Sequence, residues 1–558
     1  MIQFDFNGIP NMEPKNFSTK FKRPAKPRYK AFLICLIVGL LVIAGAIYIA
    51  HPPVNWHSMR AAFYLVTFGI LITLLLIIAY NNSMIGEHTY KRLSKIGTTL
   101  VLLIIFGGLI LNVVVSPFFI ADQYYHRIAV EEVGFEEIQE VDFTKTAIID
   151  RDSTLALGDR VMGQMPELVS QFEVSPEYTQ ISYKDSVYRV TPLEYADVLK
   201  YFLNRDEGIP AYITVNSTTG EAELVKLKDL GLDGMRYVPS ALFNENLSRK
   251  LQLDYPSKIF GKPSFEIDED GHPWYICTTY THKGIEALTS VDGVVIFDPI
   301  TGDSTYYADP LEAPSWVDRI YPEKLVIEEV NNYGMYKDGF LNSIFGQKDV
   351  IVTSEGYNYL EKDGDIWIYS GLTSANSDAA NLGFILVNLR THEGLKINSA
   401  GANEISAMNS AMGHVKNYGY HATFPILVNV NSKPTYLMAL KDDAGLIKMY
   451  AMVDAADYQK VEAVSMDEGL EVLKANFIGE QVIIPESDNL IETSIVVDSI
   501  RFITSGGETR VYIEDYEGNR YKLAVNKGNE EVVAFLNEND VINITYIDGA
   551  IKTITKIK

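Results

Sequence analysis

The carboxylates, histidines and serines of this chain fall only rarely at spacings that chemistry uses. Glu266, Asp268 and Asp270 precede Gly271 at alternate positions, imitating the opening of a calcium-binding loop. The twelfth position of such a loop is Cys277, and a thiol cannot supply the bidentate carboxylate that closes the coordination. The run reads better as a charged hairpin turn between two strands. His126, His272, His282, His392, His414 and His421 lie beyond the apolar amino-terminal region. His414 and His421 are seven apart, but Gly413, Gly419 and Pro425 interrupt any helix that would align them. Neither HExxH nor a paired His and carboxylate spacing for zinc is present. Cys277 reads as a small core residue, with nothing beside it to favour a thiolate. Residues 406–413, SAMNSAMG, have neither a lysine three residues after a serine nor a GxSxG elbow. Asp150, Asp152 and Asp159 with Arg151 and Arg160 read as a solvated charged face. Trp274, Tyr275, Trp316, Tyr357, Tyr359 and Trp367 mostly alternate as core-facing strand residues do. No catalytic, cofactor-binding or metal-ligating residue is expected, and no cofactor.

What such residues would be mounted on is governed by three uncharged apolar segments, 31–50, 61–80 and about 98–120, followed by 438 residues with none. At 1.5 Å per helical residue each is long enough to cross a hydrocarbon core roughly 30 Å thick. No Asp, Glu, Lys, Arg or His lies within them, and Asn112 is the most polar residue of the third. That composition suits a packed anchor, with Gly107 and Gly108 allowing close approach, better than a transporter. Lys15, Lys20, Lys22, Arg23, Lys26, Arg28 and Lys30 precede the first span, and Lys91, Arg92 and Lys95 lie between the second and third. The link between the first two spans has only Arg60. Basic residues stay on the cytoplasmic side, which predicts a cytoplasmic amino terminus and an extracytoplasmic body from Ala121 onward. The first apolar stretch is too long for a cleaved leader and lacks a small-residue cleavage site, which predicts an uncleaved anchor.

Residues 1–120 hold 11 Lys/Arg and 3 Asp/Glu; subtracting these from totals of 48 and 72 leaves 37 and 69 for residues 121–558, a net charge of −32. A body that acidic repels phosphate backbones, so nucleic acid is not expected as a partner. Cys35 and Cys277, the only cysteines, lie in a span and in the body, so no disulfide framework exists. A large outer domain without disulfides fits a bacterial surface.

Glu131, Glu132, Glu136, Glu137 and Glu140 give residues 121–145 the character of an acidic stalk. Thr191-Pro192-Leu193-Glu194 has the form of a capping box with proline at the first helical position. It predicts a helix burying Leu193, Ala196, Leu199, Tyr201, Phe202 and Leu203, stopped by Gly208 and Pro210. A strand over 211–215 then turns at Thr219-Gly220 into 221–225. The pattern recurs. The segments 255–261 (YPSKIFG), 274–280 and 293–297 (GVVIF) are echoed by 341–346 (LNSIFG), 366–369 (IWIY) and 383–387 (GFILV). A more divergent fourth pass covers 425–454.

At AYITVNSTTGEAELV, ending at Val225, and GVVIFDPITGDSTYY, ending at Tyr307, the chain resembles PepSY-type modules. The segments ALGDRVMG, RVTPLEYA, FEIDEDGHPWY and ATFPILVNV are similar to a wider group of uncharacterised Gram-positive membrane proteins, over most of 140–460. The resemblance implies a helix packed on an antiparallel sheet in each module. It also implies a binding role, such as holding proteases or envelope proteins in check, and supplies no catalytic residues.

After a linker at 485–489 (PESDN), strands over 494–504, 510–515 and 520–525, a helix over 530–536 and a hairpin over 541–557 follow the order of an OB-type barrel, with an SH3-like barrel as the alternative. The last 70 residues hold 8 Lys/Arg against 11 Asp/Glu, which disfavours single-stranded nucleic acid. The expected organisation is a membrane-anchored α+β protein: a basic cytoplasmic tail (1–30), a three-helix transmembrane anchor (31–120), the stalk (121–145), PepSY-like repeats (146–323), further α+β repeats (324–480) and an OB-like barrel (488–558). The function read from it is a non-catalytic extracytoplasmic binding or scaffold protein whose partner is an envelope protein or wall polymer. The alternatives are an envelope hydrolase using dispersed carboxylates, since glycoside hydrolysis asks for only two of them, and an accessory subunit of a larger membrane complex.

Overall fold

The computed structural model describes residues 29–375, 377–479, 491–505, 508–525, 529–547 and 549–557. Most of the basic tail and the PESDN linker lie outside the described residues. Helices Tyr29–Ala50, Ala62–Asn81 and Glu87–Val114 realise the three apolar segments, each long and apolar enough to cross a membrane. Apart from Leu71 and Ala79, which are buried, most of their apolar side chains are exposed, an arrangement stable in lipid and costly in water. The third helix stops at Val114 and does not run on to residue 120. Pro117 has no N–H to donate and drives Ser116 into extended backbone (φ −72°, ψ 159°), so a separate helix, Pro117–Tyr125, begins there.

Beyond the helices, one topology occurs four times. In each unit a helix leads to two short strands, both paired to the same long third strand; the third pairs with a fourth and the fourth with a fifth. The third strands are Ser186–Tyr195, Pro273–Lys283, Asp365–Ser374 and Lys433–Lys441. The leading helices are Arg151–Gly163, Leu247–Asp254, Glu323–Tyr336 and Glu404–His414. Trp274 and Trp367 lie on equivalent third strands. Gly293 and Gly383 lie on equivalent fourth strands, each beside a register shift. The IFG echo is not structural. Ile259–Phe260 is a short first strand, whereas Asn342–Gly346 is a π-helical turn and the equivalent strand is Ile351–Thr353.

The expected helix at Thr191 is also overturned. Thr191, Pro192, Leu193 and Glu194 belong to strand Ser186–Tyr195, with Pro192 opposite Tyr212 at the end of one ladder and Leu193 opposite Val174 at the start of another. Proline is tolerated where the strand changes partners, and pairing on both sides outweighs the local capping signal. The helix begins at Val198, with the Asp197 carboxylate accepting from the Lys200 N–H, and ends at Asn204. It buries only Tyr201, leaving Leu199, Phe202 and Leu203 exposed.

The first and second sheets share one hydrophobic core and the third and fourth share another. The acidic segment is no free stalk: Val130–Val133 adds to the third sheet, parallel to Gly394–Ile397. A closed barrel ends the chain, with Ile491–Ser505, Glu508–Asp515, Arg520–Ala524, Val541–Ile547 and Ala550–Lys556 in the order first, second, third, fifth, fourth. Helix Glu530–Ala534 connects the third and fourth strands and buries Val533 in the barrel core.

The anchor is pinned to the body. The Asn112 side chain donates to the Ile285 carbonyl (3.1 Å) and accepts from the Ile285 N–H (2.7 Å). From the loop between the first two helices, His57 Nδ1 lies 2.6 Å from the Gly284 carbonyl, and the Met59 N–H donates to Glu286 (2.8 Å). That loop therefore lies at the same end of the anchor as the body.

Candidate functional site: a cleft between two sheet edges

A cleft of about 480 Å³ opens where the third and fourth units face each other, lined by residues 138–142, 145–147, 359–364 and 426–429 with Asp185. One wall is strand Asn358–Lys362, which among the described residues pairs with a strand on one side only. Another is strand Ile426–Val430, paired to Lys433–Lys441. The segment at 138–147 straps across its open edge: the Val141 N–H donates to the Asn429 carbonyl (2.9 Å), and Asn429 Nδ2 donates to the Ile138 carbonyl (2.6 Å). Buried Ile138 and Phe143 fix the strap in the cores on either side, and Lys474 pairs with Glu140 at 2.8 Å.

The walls carry Asp142, Asp185, Glu361 and Asp363 against Lys145 and Lys362. Lys362 is already paired with Asp363 (2.6 Å) and lies over the Trp367 ring. The Thr144 hydroxyl and N–H hold the Asp142 carboxyl below its ordinary range. Gln139 reaches Asp363 (3.2 Å) across the rim, and the Tyr359 hydroxyl turns away to donate to Glu323 (2.6 Å). Asn429 Oδ1 is buried without a protein donor. The cleft thus offers one open backbone edge between acidic walls. Such a surface takes up an extended chain with basic or hydrogen-bonding side chains.

No family model matches the chain. No curated protein matches it either. Among solved structures, the Bacillus megaterium YpeB C-terminal domain aligns over 43% of this chain and 99% of its own at 13% identity, with a TM-score of 0.10. A Synechocystis apocarotenoid oxygenase mutant aligns over 69% of this chain and 62% of its own at 8% identity, with a TM-score of 0.14. An exo-β-1,3-galactanase from Phanerochaete chrysosporium aligns over 68% and 89% at 10% identity, with a TM-score of 0.16. Superpositions this loose assign neither fold nor activity, and the reading rests on the chain's own geometry.

The residues singled out in the sequence are dispersed. Asp268 organises the calcium-like turn by accepting from the Asp270 and His272 N–H groups and from Trp274 Nε1. Glu266 points away from that turn into the interior. Its carboxylate accepts from the Asp318 and Arg319 N–H groups (2.9 and 3.1 Å), while Asp318 accepts from the Ser182 N–H (2.7 Å). Both acids are enclosed, Glu266 at 0% exposure and Asp318 at 2%. Burial pushes Glu266 up to about 7, and burial followed by the Glu266 charge raises Asp318 as well. With no open face for a substrate, the pair forms a joint: Ser182 comes from the first unit, Glu266 from the second and Asp318 from the link to the third.

Asp150 caps helix Arg151–Gly163 and pairs with Lys441 of the fourth unit (2.9 Å). The histidines of the body are scattered over separate contacts: His126 lies against Asp122, His272 against Pro273 and Asp298, His282 against Thr289, His392 against Glu329 and the Tyr321 ring, and His421 against Asp443. Among the described residues, no three His, Cys, Asp or Glu side chains are grouped to hold a metal ion. Cys277 is fully buried, and burial pushes its thiol up. Of the aromatic residues considered, Tyr359 lines the cleft, while Tyr275 and Trp367 are core. The strap and Asn429 were missed because the contact that joins them links residues 291 apart in sequence.

Proposed function

We propose that the protein is a non-catalytic, membrane-anchored binding or scaffold protein of the bacterial envelope. Its amino terminus is cytoplasmic, residues 121–558 are extracytoplasmic, and its partner is an envelope protein or wall polymer. The observation that carries this reading is the cleft between two sheet edges, whose volume falls within the usual range for ligand sites. The four units of one topology support PepSY-like modules, grouped as 146–323 and 324–480 by their two shared cores. The barrel's strand order, with its helix before the final hairpin, supports an OB-like fold for 488–558. Lys91, Arg92 and Lys95 stand at the end of the anchor away from the body, which favours the stated orientation.

The mechanism is capture by strand addition: an extended segment pairs with the free edge of Asn358–Lys362 while the acidic walls select its side chains. A photo-cross-linking residue in place of Glu361, introduced in the native host, tests this. One dominant adduct, missing when the cross-linker replaces exposed Asp443, is the expected result. Labelling no stronger than at Asp443 would remove the cleft as the binding site.

A further inference from the structure

Two exposed apolar patches of the body stand beside the ends of the spanning helices. The first is the helix Val198–Asn204, whose Val198, Leu199, Phe202 and Leu203 follow the spacing of a single face. Leu199 is 64% and Leu203 67% exposed. Phe202 packs on the exposed Phe243 ring, at 6.1 Å between centroids. The next residue, Asn244, accepts from the Tyr48 hydroxyl at the end of the first span (2.7 Å), and Arg249 lies over the Tyr48 ring. The second patch is the turn at 339–346, with Leu341, Ile344 and the 81% exposed Phe345. Phe340 stacks edge-on against Phe118 at 5.4 Å, just past the end of the third span, where Phe118 and Phe119 are exposed too.

Between the patches, the hairpin tip at Ile285 meets Asn112 and packs so closely on Gly108 that a Cβ there would strike its side chain. Gly108 lies six residues before Val114, about 9 Å below the helix end. The body is therefore seated at the depth where headgroups meet acyl chains. Water would penalise these clustered side chains, and monomeric proteins rarely expose such groups without a use for them. Lys200 flanks the first patch and Lys337 and Lys348 the second, with stems long enough to carry their charges up to the headgroups.

We infer that the two patches are lipid-contact feet. Each inserts its apolar side chains into the interfacial layer of the bilayer crossed by the anchor, and together they hold the body down on the membrane on both sides of the spans. This rests on the spans crossing the membrane and is independent of what the cleft binds.

The test uses the full chain in phosphatidylcholine nanodiscs. Cys35→Ala removes the exposed native thiol, and buried Cys277 stays in place. Single cysteines at Leu199→Cys, Phe345→Cys, Asp443→Cys and Leu103→Cys then receive an environment-sensitive fluorophore. Labels at 199 and 345 are expected to emit at shorter wavelength, to be quenched by lipids with a nitroxide near the headgroup and to resist iodide; the label at 443 should behave oppositely. The label in the third span, at 103, reports separately that the anchor is inserted. Iodide quenching at 199 or at 345 equal to that at 443 would overturn the two-footed seat. Protection that arises only after envelope proteins are added would overturn it too, making the patches protein-docking surfaces.

Discussion

Raising the pH should loosen the joint where the first three units meet. Burial lifts the Glu266 carboxyl from 4.5 to about 7, and Asp318 beside it is raised too, by burial and then by the Glu266 charge. A carboxyl whose folded value lies above its unfolded value holds its proton more tightly when folded. The stability it contributes is whole below about 4.5 and is lost as the pH rises through about 7. The gap from 4.5 to about 7, at about 1.4 kcal/mol per pH unit, amounts to about 3–4 kcal/mol, on the order of a few hundredfold in a local opening equilibrium. The amides of Ser182, Asp318 and Arg319 donate to these two carboxylates, so their hydrogen exchange reads the joint directly. Exchange of the full chain between pH 5 and 8, corrected for the intrinsic rate, should show protection at these amides falling by that order. In the Glu266→Gln/Asp318→Asn double variant it should stay flat. Protection independent of pH in the parent, or an equal fall in the variant, would refute the reasoning.

Three further outcomes follow from individual contacts. Asn112→Leu leaves the Ile285 N–H and carbonyl without their partner and should weaken docking of the body on the anchor by about 2 kcal/mol, read as faster proteolysis around residues 283–287. Asp150→Ala removes a helix cap and the partner of Lys441, costing about 1–2 kcal/mol in thermal unfolding at neutral pH. Burial pushes the Asp150 carboxyl up, but Ser153 and Lys441 together hold it below its ordinary range. Its contribution is therefore present above the unfolded value and lost as the pH falls, so the variant and parent should converge in acid. Tyr201→Phe removes a 2.6 Å hydrogen bond to buried Glu245 and should cost about 1 kcal/mol in the same assay, with Arg205 and Arg236 still pairing the carboxylate.

The spans were legible because an unbroken run of uncharged residues reports on lipid without help from tertiary structure. The repeats were legible wherever a bulge glycine or a core tryptophan sits on a long central strand, as Gly293 and Gly383 or Trp274 and Trp367 do. Local signals failed where pairing partners compete with them. Thr191-Pro192-Leu193-Glu194 has the form of a helix start, yet strands on both sides claim it. Leu199, Phe202 and Leu203 were assigned to the core because periodicity identifies an apolar face without saying what covers it. The stalk was misread because its glutamates obscured Val130 and Val133, which pair with a strand 264 residues away. The cleft could not be seen for the same reason, being built from a strap, a hairpin and two edges that meet only in the finished fold.

That long-range pairing also orders events in time. Val130–Val133 is made early, but Gly394–Ile397 must be synthesised before the ladder can close. At about 5–20 residues per second, the early strand waits on the order of half a minute with its edge unpaired beside the bilayer. The strap waits longer still, for Asn429. The segment nearest the membrane is thus among the last to be locked, and a chain interrupted before residue 394 would hold finished first and second units on an unsecured tether. Completion of the fourth unit becomes a built-in check that the whole body has been made before it is fastened down.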